Sequence, residues 1–209
     1  MKHILVIDDN EDVRKIIGYD LLKAGFAVDD AEDGISGFAQ ATKTKYDLII
    51  IDWMMPGMNG LELTRALRAR NVRSILFMLT AKDGDNDLEE AFAAGVDDYL
   101  RKPFSPRELQ IRIRKHLQGR PAGDEAPKTI LRYQDLTLDE RSRRFFISGK
   151  EVSLTRKEFD LMDYFMQHAQ TVLSRNEILN AVWGFDYDGD TRIIDVHTFK
   201  LRGKLSSSK

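Results

Sequence analysis

The sequence predicts a doubly wound α/β domain, a parallel five-stranded sheet with helices on both faces, followed by a smaller α+β domain of helix-turn-helix type. Three observations lead there. The aliphatic runs His3-Ile4-Leu5-Val6-Ile7, Leu48-Ile49-Ile50-Ile51 and Ile75-Leu76-Phe77-Met78-Leu79 read as strands buried on both faces. Helical periods alternate with strands five times across short links, as in a chain of βαβ units. Past residue 128 the pattern changes to short strands between turn residues, then to helices with capping signals.

A chain of 209 residues is expected to hold two domains. Its 42% hydrophobic and 32% charged residues are ordinary for a globular protein. No apolar run approaches the ~18 residues of a membrane span, and Met1-Lys2-His3 leads into a strand rather than a signal peptide, so no membrane partner and a cytoplasmic location are expected. The absence of cysteine removes disulfides, thiolate zinc sites and cysteine nucleophiles. The net charge of −2 argues against a uniformly basic nucleic-acid binder. Residues 1–117 carry 17 Lys+Arg against 20 Asp+Glu, a net of −3, whereas Arg192, Lys200, Arg202, Lys204 and Lys209 face only Asp195 at the C-terminus. Any contact with a polyanion belongs there.

Taken in order, the run 3–7 ends in Asp8-Asp9-Asn10-Glu11-Asp12, and Val13 to Leu22 reads as a helix closed by Gly25. Phe26 to Asp30 is a short strand and Gly34 to Thr44 a helix. The strand 48–51 runs into Asp52 and a Pro56-Gly57 turn, and Leu61 to Arg70 follows as a helix. Alone, Asp52 reads equally as a nucleophile or metal ligand and as a turn-initiating carboxylate. The strand 75–79 ends in Thr80-Ala81. Leu88 to Ala94 is a helix stopped by Gly95, Tyr99-Leu100 a strand, and Leu109 to Leu117 a helix after Lys102-Pro103-Phe104.

In such a sheet the residues just past the strand ends converge in one crevice. Those residues are Asp8, Asp9, Asp52, Thr80 and Lys102. Three adjacent carboxylates repel unless a cation joins them, and Mg²⁺ suits a site with few protein ligands and several waters. Lys102 and Thr80 add a second cation and a hydroxyl donor, the groups needed around a phosphoryl on Asp52.

Asp8-Asp9, Asp52 with Pro56, Thr80-Ala81, Tyr99 and Lys102-Pro103-Phe104 resemble the receiver domain of two-component response regulators, over residues 1–117. The resemblance implies a CheY-like fold and phosphoryl transfer from a sensor histidine kinase to Asp52. It implies Mg²⁺ held by Asp8, Asp9, Asp52 and the main-chain carbonyl of Met54, directly or through water. Thr80 and Tyr99 become the switch pair. Met54 and Lys82 would flank the path of attacking water and orient it poorly, so slow loss of the phosphoryl is expected.

Residues 118–128, rich in Gly, Pro and charge, read as a flexible linker. In residues 129–209, Ile130 to Tyr133, Leu136 to Leu138, Arg144 to Ile147 and Glu151 to Ser153 read as strands. Thr155 with Glu158 and Ser174 with Glu177 are capping boxes opening two helices. The first carries an apolar Phe159, Leu161, Met162, Phe165, Met166 face, read as core; an acidic aromatic loop, 184–189, and a basic helix, Arg192 to Leu205, complete the pattern. Leu154 to Leu161, Val182-Trp183-Gly184, Asp195-Val196-His197 and Leu201-Arg202 resemble the winged-helix effector of the OmpR/PhoB family. That implies promoter DNA met in the major groove by Arg192, His197, Lys200, Arg202 and Lys204. The family continues into a β-hairpin wing where this sequence reads Ser206-Ser207-Ser208-Lys209, so a wing is expected to be missing. Phe199 and Gly203 stand where the family is usually polar or basic.

The resemblance implies a homodimer on phosphorylation, through a face that includes Asp97, Asp98, Glu108 and Arg112, with Leu88 where a basic residue is usual. An alternative keeps the receiver but has the effector act through contacts with RNA polymerase rather than tight DNA binding. An aspartyl-phosphate phosphatase of the haloacid-dehalogenase type usually needs a second Asp two residues past its nucleophile; Asn10 and Met54 occupy those positions. The expectation is therefore a phosphoacceptor and not an enzyme.

Overall fold

The computed structural model describes residues 1–81, 85–118, 130–184 and 191–206. Lys82, the side chain of Leu88, the expected linker beyond Gln118, the loop after Gly184 and Ser207-Ser208-Lys209 lie outside the described residues. The chain divides into two compact units, Met1–Leu117 and Gln118–Lys209.

In the first unit the elements are β1 (His3–Ile7), α1 (Glu11–Lys23), β2 (Ala27–Ala31), α2 (Gly34–Lys43), β3 (Leu48–Asp52), α3 (Gly60–Ala69), β4 (Ile75–Thr80), α4 (Asp85–Ala94), β5 (Asp98–Arg101) and α5 (Pro106–Gln118). All strand pairs are parallel, in the order β2-β1-β3-β4-β5. Alternate residues of the central strands feed two separate apolar layers. Ile4, Val6, Leu48 and Ile50 pack with α1 and α5 through Ile17, Leu21, Leu109 and Ile113. Leu5, Ile7, Ile49 and Ile51 pack with α2 and α3 through Ala41, Leu63 and Leu67. This double burial is why β3 and β4 are apolar without alternation.

Helix starts fall earlier than the apolar periods indicate, because polar caps set them. The Asn10 side chain accepts from the N–H groups of Asp12 and Val13, and Asn59 and Glu62 form a reciprocal capping box at α3. Pro106 opens α5, where its missing N–H costs nothing. At the β3–α3 junction the chain closes on itself. A Cβ on Gly60 would stand 2.4 Å from the carbonyl oxygen of Asp52, so only glycine lets α3 start against the end of β3.

In the second unit, β6 (Ile130–Tyr133), β7 (Leu136–Asp139), β8 (Arg144–Ile147) and β9 (Lys150–Val152) form an antiparallel sheet in sequence order. Ser148 and Gly149, both at positive φ, make the two-residue turn between β8 and β9. Three helices follow: α6 (Arg156–Gln167), α7 (Arg175–Val182) and α8 (Arg192–Ser206). Both predicted capping boxes are present, Thr155 with Glu158 and Ser174 with Glu177. Phe159, Leu161 and Met162 are buried, as a core stripe requires, together with Trp183, Ile193, Ile194 and Leu201.

Candidate functional site

The parallel sheet delivers the acidic residues to one edge. Asp8 follows β1, Asp52 ends β3, Thr80 ends β4 and Lys102 follows β5. Lys102 Nζ donates to Asp52 Oδ1 at 2.7 Å and to Asp8 Oδ2 at 3.0 Å. Asp8, Asp9 and Asp52 each offer a carboxylate oxygen within 4.8 Å of the others. Asp8 and Asp52 are buried and Asp9 is exposed. Three carboxylates and one ammonium leave two negative charges in a confined space, which fits a divalent, oxygen-seeking cation.

Electrostatics follow from this packing. Burial pushes the Asp52 carboxyl above its usual range, the Lys102 hydrogen bond and charge oppose that rise, and Asp8 and Asp9 add to it. Burial works against the Lys102 ammonium, but Asp52 and Asp8 outweigh it and the lysine is raised above its ordinary value. Asp52 and Asp8 therefore favour the ammonium form of Lys102. Its own N–H donates to the Thr80 carbonyl at 2.7 Å, tying the two strand ends together.

Thr80 is fully buried. Tyr99 lies inward, packed edge-on against Phe92 with ring centroids 5.7 Å apart. Met54, just past β3, leaves its side chain 62% exposed. Arg14, which sequence reasoning missed, braces the acidic turn. Its Nη1 donates to the carbonyls of Asp8 and Asp9 at 2.8 and 3.3 Å, and its Nε pairs with Asp30 at 3.1 Å. A single arginine inside a helix carries no sequence signature of that task.

Two acids expected on a contact face are instead interior. Asp97 is fully buried, and its Oδ2 accepts from Arg68 at 2.6 Å and from the Leu76 N–H at 2.8 Å. Asp98 is buried against His116, with Nε2 and Oδ2 2.6 Å apart, and Arg112 lies 3.8 Å from its other oxygen. A carboxylate removed from water needs partners within its own domain, and these are taken. The Glu108 side chain is 41% exposed and lies 3.7 Å from Arg112, which makes it the most exposed of the four.

The basic helix is also corrected in part. Arg192 and Arg202 are exposed and Lys200 is half-buried. His197 is buried, its ring 5.5 Å from that of Trp183. Lys204 turns inward, donating to the Ser153 carbonyl at 2.9 Å and to the buried Glu158 carboxylate at 2.5 Å. The spacing Ile193, His197, Leu201 places His197 on the apolar stripe, a signal that could have been read beforehand. The need of a buried Glu158 for a cation decides Lys204.

Comparison with known proteins assigns both units to families. Residues 4–114 match the response regulator receiver domain, and residues 149–209 match the C-terminal domain of transcriptional regulatory proteins. An uncharacterized transcriptional regulatory protein of Bacillus subtilis, YkoG, is 39% identical over 203 residues, covering 97% of this chain and 89% of that one. The chain is an OmpR/PhoB-family response regulator. DrrB of Thermotoga maritima, an OmpR/PhoB homolog of known structure, is similar at a TM-score of 0.54 with 25% identity, over 97% of this chain and 88% of that one. The receiver domain of a sensor histidine kinase from Pseudomonas aeruginosa PAO1, solved with magnesium in its active-site cleft, is similar over 56% of this chain and 98% of that one, with 32% identity and a TM-score of 0.53. This response regulator is thus a DNA-binding transcriptional regulator of a two-component system and not a classical enzyme. Among its described residues no helix is long and apolar enough to cross a membrane.

Proposed function

We propose that Asp52 accepts a phosphoryl group from a sensor histidine kinase in the cytoplasm and that this modification controls promoter binding by the second unit. The observation that carries the reading is the Lys102 ammonium bonded to both Asp52 and Asp8 within a triad of carboxylates. Asp8, Asp9 and Asp52, with the main-chain carbonyl of Met54, would hold Mg²⁺, directly or through water. The residues fit that ion: three hard oxygen donors, two of them buried, carry more negative charge than Lys102 balances. Bound there, Mg²⁺ would supply neutralising charge to the phosphoryl oxygens.

The residues of the chain do the rest. An Asp52 oxygen attacks phosphorus, the bond to the histidine nitrogen breaks, and the imidazole leaves with its electron pair. Asp52 must be ionised to attack, and Lys102 favours that form against burial. Lys102 then exchanges a carboxylate for a phosphoryl oxygen, and the Thr80 hydroxyl donates to another; transfer of this kind depends almost wholly on positioning and charge. Tyr99 would follow Thr80. The added charge of about −1.5 to −2 biases the neighbouring surface toward a homodimer in which Glu108 takes part. Promoter DNA is met by α8, with Arg192, Lys200 and Arg202 near phosphates, and RNA polymerase is the downstream partner.

Incubation of the full chain with acetyl phosphate and Mg²⁺ should give one acid-labile phosphate. Asp52→Asn, or chelation of Mg²⁺, should abolish it. Persisting label on Asp52→Asn would overturn the assignment.

A further inference from the structure

Helix α8 presents two faces. Ile193, Ile194, His197 and Leu201 are buried, whereas Arg192, Asp195, Phe199, Arg202 and Gly203 are exposed. The exposed positions recur at three- and four-residue steps, so they form one outward stripe. Phe199 lies in the middle of it, 76% exposed. A phenyl ring so placed contributes little to its own domain's core and adds apolar surface to a basic helix end.

Gly203, one turn further along, bears on the same point. Glycine in a helix interior is unfavourable relative to alanine. A Cβ at Gly203 would meet nothing within 4 Å of its own chain, so internal packing does not demand the glycine. Gly203 is exposed and four residues from Phe199, so its missing side chain leaves room on the outward stripe beside the ring. Asp195 would repel a polyanion, but Arg175 from the start of α7 is paired with it at 3.1 Å.

We propose that Phe199 is a specificity residue that reads a thymine methyl group in the major groove, with Gly203 admitting the groove wall beside it. The inference rests on the reading that α8 meets DNA. The thymine C5-methyl is the apolar feature that a base pair offers in that groove, and phenylalanine is among the side chains that contact it. The ring neither donates nor accepts hydrogen bonds. Against a G·C edge it would desolvate polar groups without replacing their partners, which disfavours that pair. Arg192 and Arg202, toward the two ends of the stripe, would take phosphates, which fix register but carry no sequence information.

The test uses the full chain treated with acetyl phosphate and Mg²⁺. A random duplex library is enriched by binding, and each thymine of the recovered site is then replaced by deoxyuridine, which removes only the methyl. One thymine per half-site should lose about fourfold in affinity on that replacement, the equivalent of burying one methyl-sized group. In Phe199→Ala the same replacement should change affinity by less than about 1.5-fold, while Arg202→Met should weaken all duplexes alike and flatten the salt slope by about 0.9. The exposure of Phe199 means that its variant keeps the fold, which circular dichroism checks. If the wild type ignores every thymine methyl, or if the effect survives in Phe199→Ala, the assignment of Phe199 is overturned. If no duplex of any sequence is bound at low salt, the DNA-contacting role of α8 falls as well, and the exposed ring belongs to a protein contact instead.

Discussion

Gly60 offers a direct test of how the fold holds Asp52. In Gly60→Ala the new Cβ would lie 2.4 Å from the Asp52 carbonyl oxygen, 3.0 Å from Trp53 Cα and 3.2 Å from the Asp52 carbonyl carbon. All three are backbone atoms, so no side chain can rotate away. Reaching ordinary contact, 3.4 Å or more, requires a displacement of about 1 Å at the end of β3. Overpacking of this kind costs ~1–3 kcal/mol, and the helix preference of alanine over glycine recovers ~0.5–1 kcal/mol of it. The expected net loss is about 1–2 kcal/mol. Gly18→Ala, in α1 of the same unit, is the control: its nearest neighbour would be Val28 Cγ1 at 4.0 Å, so it should gain about 0.5–1 kcal/mol. The chain has two tryptophans, so a Trp183→Phe background leaves Trp53 to report urea unfolding of the first unit. The same shift moves the Asp52 carboxylate relative to Lys102, so Gly60→Ala should also accept phosphate more slowly, while Gly18→Ala should match the parent. If Gly60→Ala proves as stable as the parent and labels at the same rate, the argument from close approach is wrong.

Three further outcomes are expected. Burial raises the Asp52 carboxyl, so the folded chain holds that proton more tightly than the unfolded one, and ionised Asp52 lowers stability above its raised value. In EDTA, Asp52→Asn should therefore gain stability at neutral pH, and the gain should shrink as pH falls through the raised value toward the ordinary 3.8; a gain that grows on acidification would contradict the sign. Mg²⁺ should raise the unfolding free energy of the first unit by about 2.7 kcal/mol at a hundredfold excess over its dissociation constant, and Asp8→Asn should remove most of that shift; an undiminished shift would place the ion elsewhere. Lys204→Met strips the buried Glu158 of its cation and should cost about 1–3 kcal/mol in thermal unfolding of the second unit. It should leave the salt slope of DNA binding unchanged, and a slope reduced by about 0.9 would return Lys204 to the phosphates.

Much of this was legible in the sequence. The runs Leu48–Ile51 and Ile75–Leu79 could be satisfied only by burial on both faces, and that alone sets a parallel sheet covered on both sides. Once the sheet is parallel, strand-end residues gather at one edge, so Asp8, Asp52, Thr80 and Lys102 are brought together by topology. The capping boxes at Thr155 and Ser174 were equally readable, because their bonds close within three residues.

Tertiary structure alone decided which charges face outward. Asp97 takes Arg68 from 29 residues away, and Glu158 takes Lys204 from 46 residues away. Neither pairing leaves a periodic trace. Lys102 meets Asp52 across 50 residues; the sequence placed both in one crevice, but the bond that joins them and the tight Gly60 junction beneath needed the packed sheet. Local pattern determines which elements form and what chemistry lines their ends. The partner that neutralises a buried charge is chosen by long-range packing, since desolvation penalises a charge wherever the fold closes over it.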